Sequence, residues 1–148
     1  DSTERLLELA DKYKGDGSAL IQACKSGNFE MVKALVELKA DVNMAVRGDG
    51  NPLIMASRAG SLEVVEYLVN KGADINKEVP GDETPLIAAS EQGHLSIAKF
   101  LVGKGADVNK VCKERVNFKI RERTALKMAN KNGHEDVVEY LKSKGAIE

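Results

Sequence analysis

The sequence predicts an all-α solenoid of stacked helix–turn–helix units, and three observations carry that prediction. The first is a period. Leu20, Leu53 and Leu86 each begin the same phrase 33 residues apart, and Gly27, Gly60 and Gly93 keep the same step. So do Leu35, Leu68 and Leu101, and Asp41, Asp74 and Asp107. A fixed repeat of roughly 20–50 residues marks a stacked-repeat protein, because each unit buries its apolar face only against its neighbours. The second is the phrase itself: residues 72–105 run through a turn-rich segment, a short helix, a glycine break and a second, apolar helix. The third is a break in the rhythm. Leu86 to Leu126 is 40 residues, so seven extra residues separate the third unit from the fourth.

Taken in order, residues 1–15 read as a capping helix. Ser2 or Thr3 can cap it, Glu4 suits the positive end of the helix dipole, and Leu6, Leu7, Leu9, Ala10 and Tyr13 form an apolar face. Residues 14–17 turn the chain. The first unit spans residues 16–48; its first helix stops at Gly27, and its second carries Phe29, Val32, Leu35, Val36 and Leu38 near the 3.6-residue period. Lys39 stands where later units have Gly72, Gly105 and Gly145, a position that favours glycine if it needs a positive φ. The second unit spans 49–81 and opens on Asn51-Pro52-Leu53, with proline early in the helix where a missing N–H is harmless. Its second helix buries Leu62, Val65, Leu68 and Val69. The third unit, 82–114, is the cleanest copy, with Leu95, Ala98, Leu101 and Val102 in the matching places.

The inserted segment, 110–123, alternates Val116, Phe118 and Ile120 at the period of a strand. A β-hairpin is expected, pairing residues 108–112 with 116–120 around a turn near Lys113-Glu114. It holds six basic and two acidic residues, a local charge of +4. The fourth unit and C-terminal cap span 121–148. Val137, Val138, Tyr140 and Leu141 keep the inward face, whereas Glu135 and Lys142 replace Leu95 and Val102, as suits a last unit whose outer side meets water.

Composition bounds the rest. The 148 residues are 43% apolar and 30% charged with a net charge of −1, so no global field draws nucleic acid or an anionic membrane. No apolar run reaches the ~18 residues of a membrane span, and the first residues lack the basic start and apolar core of a signal peptide. Two cysteines without metal-like spacing give neither a disulfide framework nor a zinc site, which places the chain in a reducing, intracellular setting, cytoplasmic by default.

The repeated residues resemble those of the ankyrin repeat family. Thr84-Pro85-Leu86 opens the first helix, Gly93-His94 divides the two helices, and Gly105-Ala106-Asp107-Val108-Asn109 follows the second, as does Gly72-Ala73-Asp74-Ile75-Asn76. The resemblance covers residues 16–147, nearly the whole chain. One departure is consistent: the His that follows T-P-L in the family is Ile21, Ile54, Ile87 and Lys127 here. The resemblance implies β-turn fingers at the unit junctions, one of them lengthened by the insertion. It also implies a non-catalytic module that binds another protein through its fingers and first helices. Carried over, the contact positions are Ala45, Arg47, Gly48 and Gly50 in one finger and Glu78, Pro80, Gly81 and Glu83 in the next. On the first helices they are Lys25, Ser26, Arg58, Ala59, Glu91, Gln92, Lys131 and Asn132. The long finger adds Phe118 and Arg123.

Catalytic readings find little support in the residues. Cys24 aligns with Ser57, Ser90 and Asn130, so it reads as a small filler between helices rather than a nucleophile. Cys112, in the long finger, is expected to be the more exposed thiol. His94 and His134 follow a repeat glycine and read as helix-start residues making local hydrogen bonds. No metal-ligand set, P-loop or G-x-S-x-G accompanies them. Asp41, Asp74 and Asp107 read as turn residues that bond nearby backbone N–H groups. No cofactor or metal is expected, and nucleic acid is not, since Phe118 is the one aromatic in the basic finger. Two alternatives stay open: a Cys/His-dependent hydrolase on the same scaffold, and a self-associating structural element. Polar ends favour a monomer.

Overall fold

The structure is a computed structural model, and it describes residues 4, 5, 8, 9, 12, 17–46, 48–79 and 83–148. Most of the capping helix expected over residues 1–15 lies outside the described residues, of which Glu4, Arg5, Glu8, Leu9 and Lys12 are helical; of the expected turn over residues 14–17, Gly17 alone is described and it opens a helix. The described residues form eight helices and one hairpin. In order these are α1 (Gly17–Ser26), α2 (Phe29–Glu37), α3 (Pro52–Ala59), α4 (Leu62–Asn70), α5 (Pro85–Gln92), α6 (Leu95–Gly103), β1 (Cys112–Val116), β2 (Lys119–Arg123), α7 (Ala125–Lys131) and α8 (Glu135–Ser143). Each odd-numbered helix packs on the even-numbered one that follows, giving four helix pairs in a row.

Side chains placed before the first helices set where they start. Asn51, Thr84 and Thr124 each accept a hydrogen bond from the backbone N–H three residues on, and Pro52 and Pro85 take the first helical position. The row of first helices packs more tightly than the row of second helices. Small residues permit it: Ala23, Cys24, Ala56, Ser57, Ala89 and Ser90 are 0–6% exposed and stand between neighbouring helices. A tighter inner row curves the stack, so the first helices and fingers line its concave face. Leu20 with Ile21, Leu53 with Ile54 and Leu86 with Ile87 fill the core at 2% exposure or less. The isoleucines in place of the family's His are thus apolar core residues, while Lys127 of the last pair is exposed.

The second helices end as the sequence predicts. The amides of Ala40, Ala73, Ala106 and Ala146 reach back to the carbonyls of Leu35, Leu68, Leu101 and Leu141 at 2.9–3.0 Å. That closure needs a left-handed residue just before it, and Gly72, Gly105 and Gly145 supply it with φ of 93–99°. Lys39 holds the same conformation at φ 73°, without glycine's freedom.

Side chains also bind one unit to the next. Asp41, Asp74 and Asp107 accept from the amides of Asn43, Asn76 and Asn109, fixing each turn. Each asparagine then bridges to the following unit. Asn43 donates to the Gly72 carbonyl and accepts from the Asp74 amide; Asn76 does the same with Gly105 and Asp107, and Asn109 with Gly145 and Ile147. The histidines act similarly, which corrects the expectation of local bonds. His94 Nε2 lies 3.0 Å from the Arg58 carbonyl and His134 Nε2 2.9 Å from that of Glu91, each one unit away. Each ring lies over the glycine of the preceding unit: a Cβ on Gly60 would come within 2.7 Å of His94, and one on Gly93 within 2.5 Å of His134. Those glycines serve the close approach of a ring as well as their own positive φ.

The hairpin forms, but in a different register from the one expected. Strand β1 pairs antiparallel with β2, Cys112 opposite Arg123 and Val116 opposite Lys119, around a two-residue turn at Asn117-Phe118. Residues 107–110 are held by the Asp107 turn and the Asn109 bridge, so the strand begins only at Cys112. Both turn residues have positive φ, 50° and 65°, as a type I′ turn demands; asparagine tolerates this and Lys113-Glu114 would not. Phe118 therefore occupies the turn rather than a strand.

Candidate functional site

The structure divides the positions singled out from the sequence. Lys25, Ser26, Ala59, Gln92, Lys131 and Asn132 are exposed at the ends of the first helices, and Glu91 is half-buried beside them. Ala45 and Gly48 are exposed in the first finger, but Gly50 is buried, because the finger closes on itself through the Val46 amide and Gly50 carbonyl at 2.9 Å. Arg47, Pro80 and Gly81 lie outside the described residues. Asn132 is already engaged, donating to the Glu91 carbonyl at 3.0 Å.

Glu83 requires the largest correction. Expected as an exposed finger residue, it is 0% exposed. Its carboxylate lies between two guanidinium groups: Arg58 pairs with one oxygen, and Arg123 donates to the other at 3.0 Å. Arg123, 15% exposed, also lies 3.8 Å from Glu114 on the facing strand. A carboxylate with no access to water must be paired, and this one joins the end of α3, the segment before α5 and the root of the hairpin. Arg58, 42% exposed, and Arg123 are therefore structural partners first. Glu78, half-buried, is likewise held within the stack by Lys110 at 3.6 Å.

The hairpin overhangs a groove of about 480 Å³ above α5 and α7, and here several predicted residues meet. Glu91, Arg123 and Lys131 line it with Glu114, Arg121, Glu122, Lys127 and Met128. Lys127 lies 3.8 Å from Glu122. Arg121 and Lys131 form no ion pair with any described residue. A smaller recess of about 200 Å³ gathers Lys25, Arg58 and Ala59 with Gly48, Asp49 and Met55. Neither Arg121 nor Lys127 is among the contact positions expected from the sequence. Lys127 could have been found from its place in the series Ile21, Ile54, Ile87, where a charge breaks an apolar column.

The chain matches a family model described as ankyrin repeats in three overlapping copies, over residues 1–79, 47–112 and 78–147. It is an ankyrin-repeat protein. A search of curated proteins finds no match. Ankyrin repeats are generally protein-interaction modules, typically without enzymatic activity. Both cysteines of this ankyrin array are buried. Cys24 is 0% exposed and burial pushes its thiol up to about 12. Cys112, expected to be exposed, is also 0% exposed, because it lies at the hairpin root; burial and the Glu78 carboxylate push it up to about 11. Burial thus favours the protonated thiol at both positions, the opposite of the lowered pKa that activates a nucleophilic cysteine. Among the described residues no three His, Cys, Asp or Glu side chains group as a metal site, and no helix is long and apolar enough to cross a membrane.

Proposed function

We propose that this ankyrin array binds another protein along its concave face, with the groove beneath the hairpin as its centre. The observation that carries the reading is a groove of about 480 Å³ lined by Glu91, Met128 and two cations, Arg121 and Lys131, that form no ion pair with any described residue. Most other cations on this face are taken: Arg58 and Arg123 serve Glu83, Lys110 serves Glu78 and Lys127 serves Glu122. A partner segment of mixed charge would complete the groove, and electrostatics would set which segment it accepts more than how tightly. Lys25, Ser26, Ala45, Gly48 and Ala59 extend the contact toward the N-terminal units.

The test is a pull-down with intact protein and with a variant carrying Glu91→Arg and Lys131→Glu. Both positions are outside the buried ion-pair network, so the variant keeps the wild-type melting temperature. A defined partner retained by the first and lost by the second supports the groove. Retention of every partner by both rejects it.

A further inference from the structure

The hairpin tip is unlike the rest of the surface. Phe118 is 101% exposed, more than any other large apolar residue described, and Ile120 on the same arm is 64% exposed. Phe118 also occupies a left-handed backbone position, φ 65°, where a hairpin turn prefers glycine or asparagine. Its ring buries nothing in the described fold, and its backbone would be more comfortable as glycine. A residue that disfavours its own conformation and contributes no packing points to a use outside the fold.

Charge supplies the second, independent observation. Residues 110–123 carry +4 against −1 for the whole chain; with Lys110 and Arg123 paired at the root to Glu78 and Glu83, the arm between them, residues 111–122, keeps four basic and two acidic residues, a net +2. Five-residue strands place the tip roughly 15 Å from the root, beyond the Debye length of about 8 Å at physiological salt. A partner approaching the tip therefore meets Arg115 and Lys119 beside an apolar knob, screened from the acidic stack.

We propose that Phe118 is an anchor that inserts into an apolar pocket rimmed by carboxylates on a partner protein, with Arg115 and Lys119 pairing with the rim. This rests on the reading of the chain as a protein-binding module and adds a contact separate from the groove. Large apolar side chains seated in closed pockets dominate protein interfaces, and surrounding charges steer the approach. A flat anionic membrane fits less well, because it would bury one ring incompletely where a closed pocket buries it whole.

The probe is a random peptide library displayed on phage and selected on the intact protein. Expected are peptides that combine an apolar cluster with several Asp or Glu. In synthetic form, their affinity by fluorescence polarisation falls about tenfold or more in Phe118→Gly. It also falls in Arg115→Glu with Lys119→Glu, and weakens with added salt. Phe118→Gly keeps or raises the melting temperature, which separates lost binding from lost folding. The groove variant, Glu91→Arg with Lys131→Glu, leaves these peptides bound; if it alone abolishes binding, the tip proposal fails and the groove reading stands. Selection of no acidic peptide, or affinity indifferent to Phe118→Gly, overturns the proposal. So does Phe118-dependent sedimentation with phosphatidylserine vesicles, or a concentration-dependent mass that Phe118→Gly abolishes, since each assigns the tip to another occupant.

Discussion

Replacing Lys39 with glycine should stabilise the protein, against the rule that glycine weakens a fold. Lys39 ends α2 at φ 73° and closes the same backbone hydrogen bond, Ala40 amide to Leu35 carbonyl at 3.0 Å, that Gly72, Gly105 and Gly145 permit in later units. The exposed Lys39 side chain forms no ion pair with any described residue, so its removal forfeits little. An L-residue in the left-handed region costs about 1–2 kcal/mol. Glycine's larger freedom in the unfolded chain returns about 0.5–1 kcal/mol of that. The net gain is about 0.5–1 kcal/mol, or a rise of about 1–4 °C in melting temperature for a chain of this size. Chemical denaturation gives the cleaner reading, because the midpoint should move up at constant slope. The converse change, Gly72→Lys, should lower stability by a similar amount. A melting temperature that falls in Lys39→Gly, or a Gly72→Lys variant as stable as wild type, would refute the shared conformational requirement.

Other consequences follow from the same contacts. Glu83→Ala leaves Arg58 and Arg123 facing each other without their buried anion and should cost about 3 kcal/mol or more; a loss under about 1 kcal/mol in urea denaturation would show that the triad is not structurally coupled. The Ser90 hydroxyl is fully buried without a hydrogen-bond partner among the described residues. Ser90→Ala should therefore gain about 1 kcal/mol, read as a higher denaturation midpoint, and a loss would mean a partner exists. Cys24 and Cys112 should alkylate far more slowly in the folded protein than in urea at neutral pH. Their thiols, raised when folded to about 12 and about 11, ionise near their ordinary value when unfolded. Above pH ~9 the folded state then holds more protons than the unfolded one, so stability falls with rising pH until these folded values are reached. Cys24→Ala with Cys112→Ala should flatten that slope.

The repeat architecture was legible because its signals are periodic and backbone-driven. Leu20, Gly27, Leu35 and Asp41 recur with a fixed step since each unit must present the same face to its neighbour. Lys39 was legible for the same reason, as a departure from a column. What escaped were contacts that cross columns. Nothing in the spacing of His94 shows that its ring reaches the Arg58 carbonyl, since the bond spans 36 residues between units. The hairpin register was missed because alternation of Val116, Phe118 and Ile120 outweighed a turn marked only by Asn117. Cys112 and Glu83 were misplaced together, both having been judged by the average exposure of a finger rather than by the insertion that covers this one.

That insertion explains why so many surface charges turned out to be spoken for. A two-stranded hairpin is marginally stable on its own in water, so an arm of this kind must be fixed at its root. Here the root is Cys112 buried against the stack and Arg123 locked to Glu83, which Arg58 holds from the preceding unit. An apolar pair at these positions could stabilise the root as well, since burying ions is costly. It would not fix direction as firmly, because hydrogen bonds from a planar guanidinium orient what they join. The arm then stands at a set angle over the groove, with its cations divided by function: Arg123 spent on the root, Arg121 facing the groove, and Lys119 beside the exposed Phe118. A sequence column records none of this division, because it is created by where the two strands fold back, and a shift of one residue in that turn would exchange the roles.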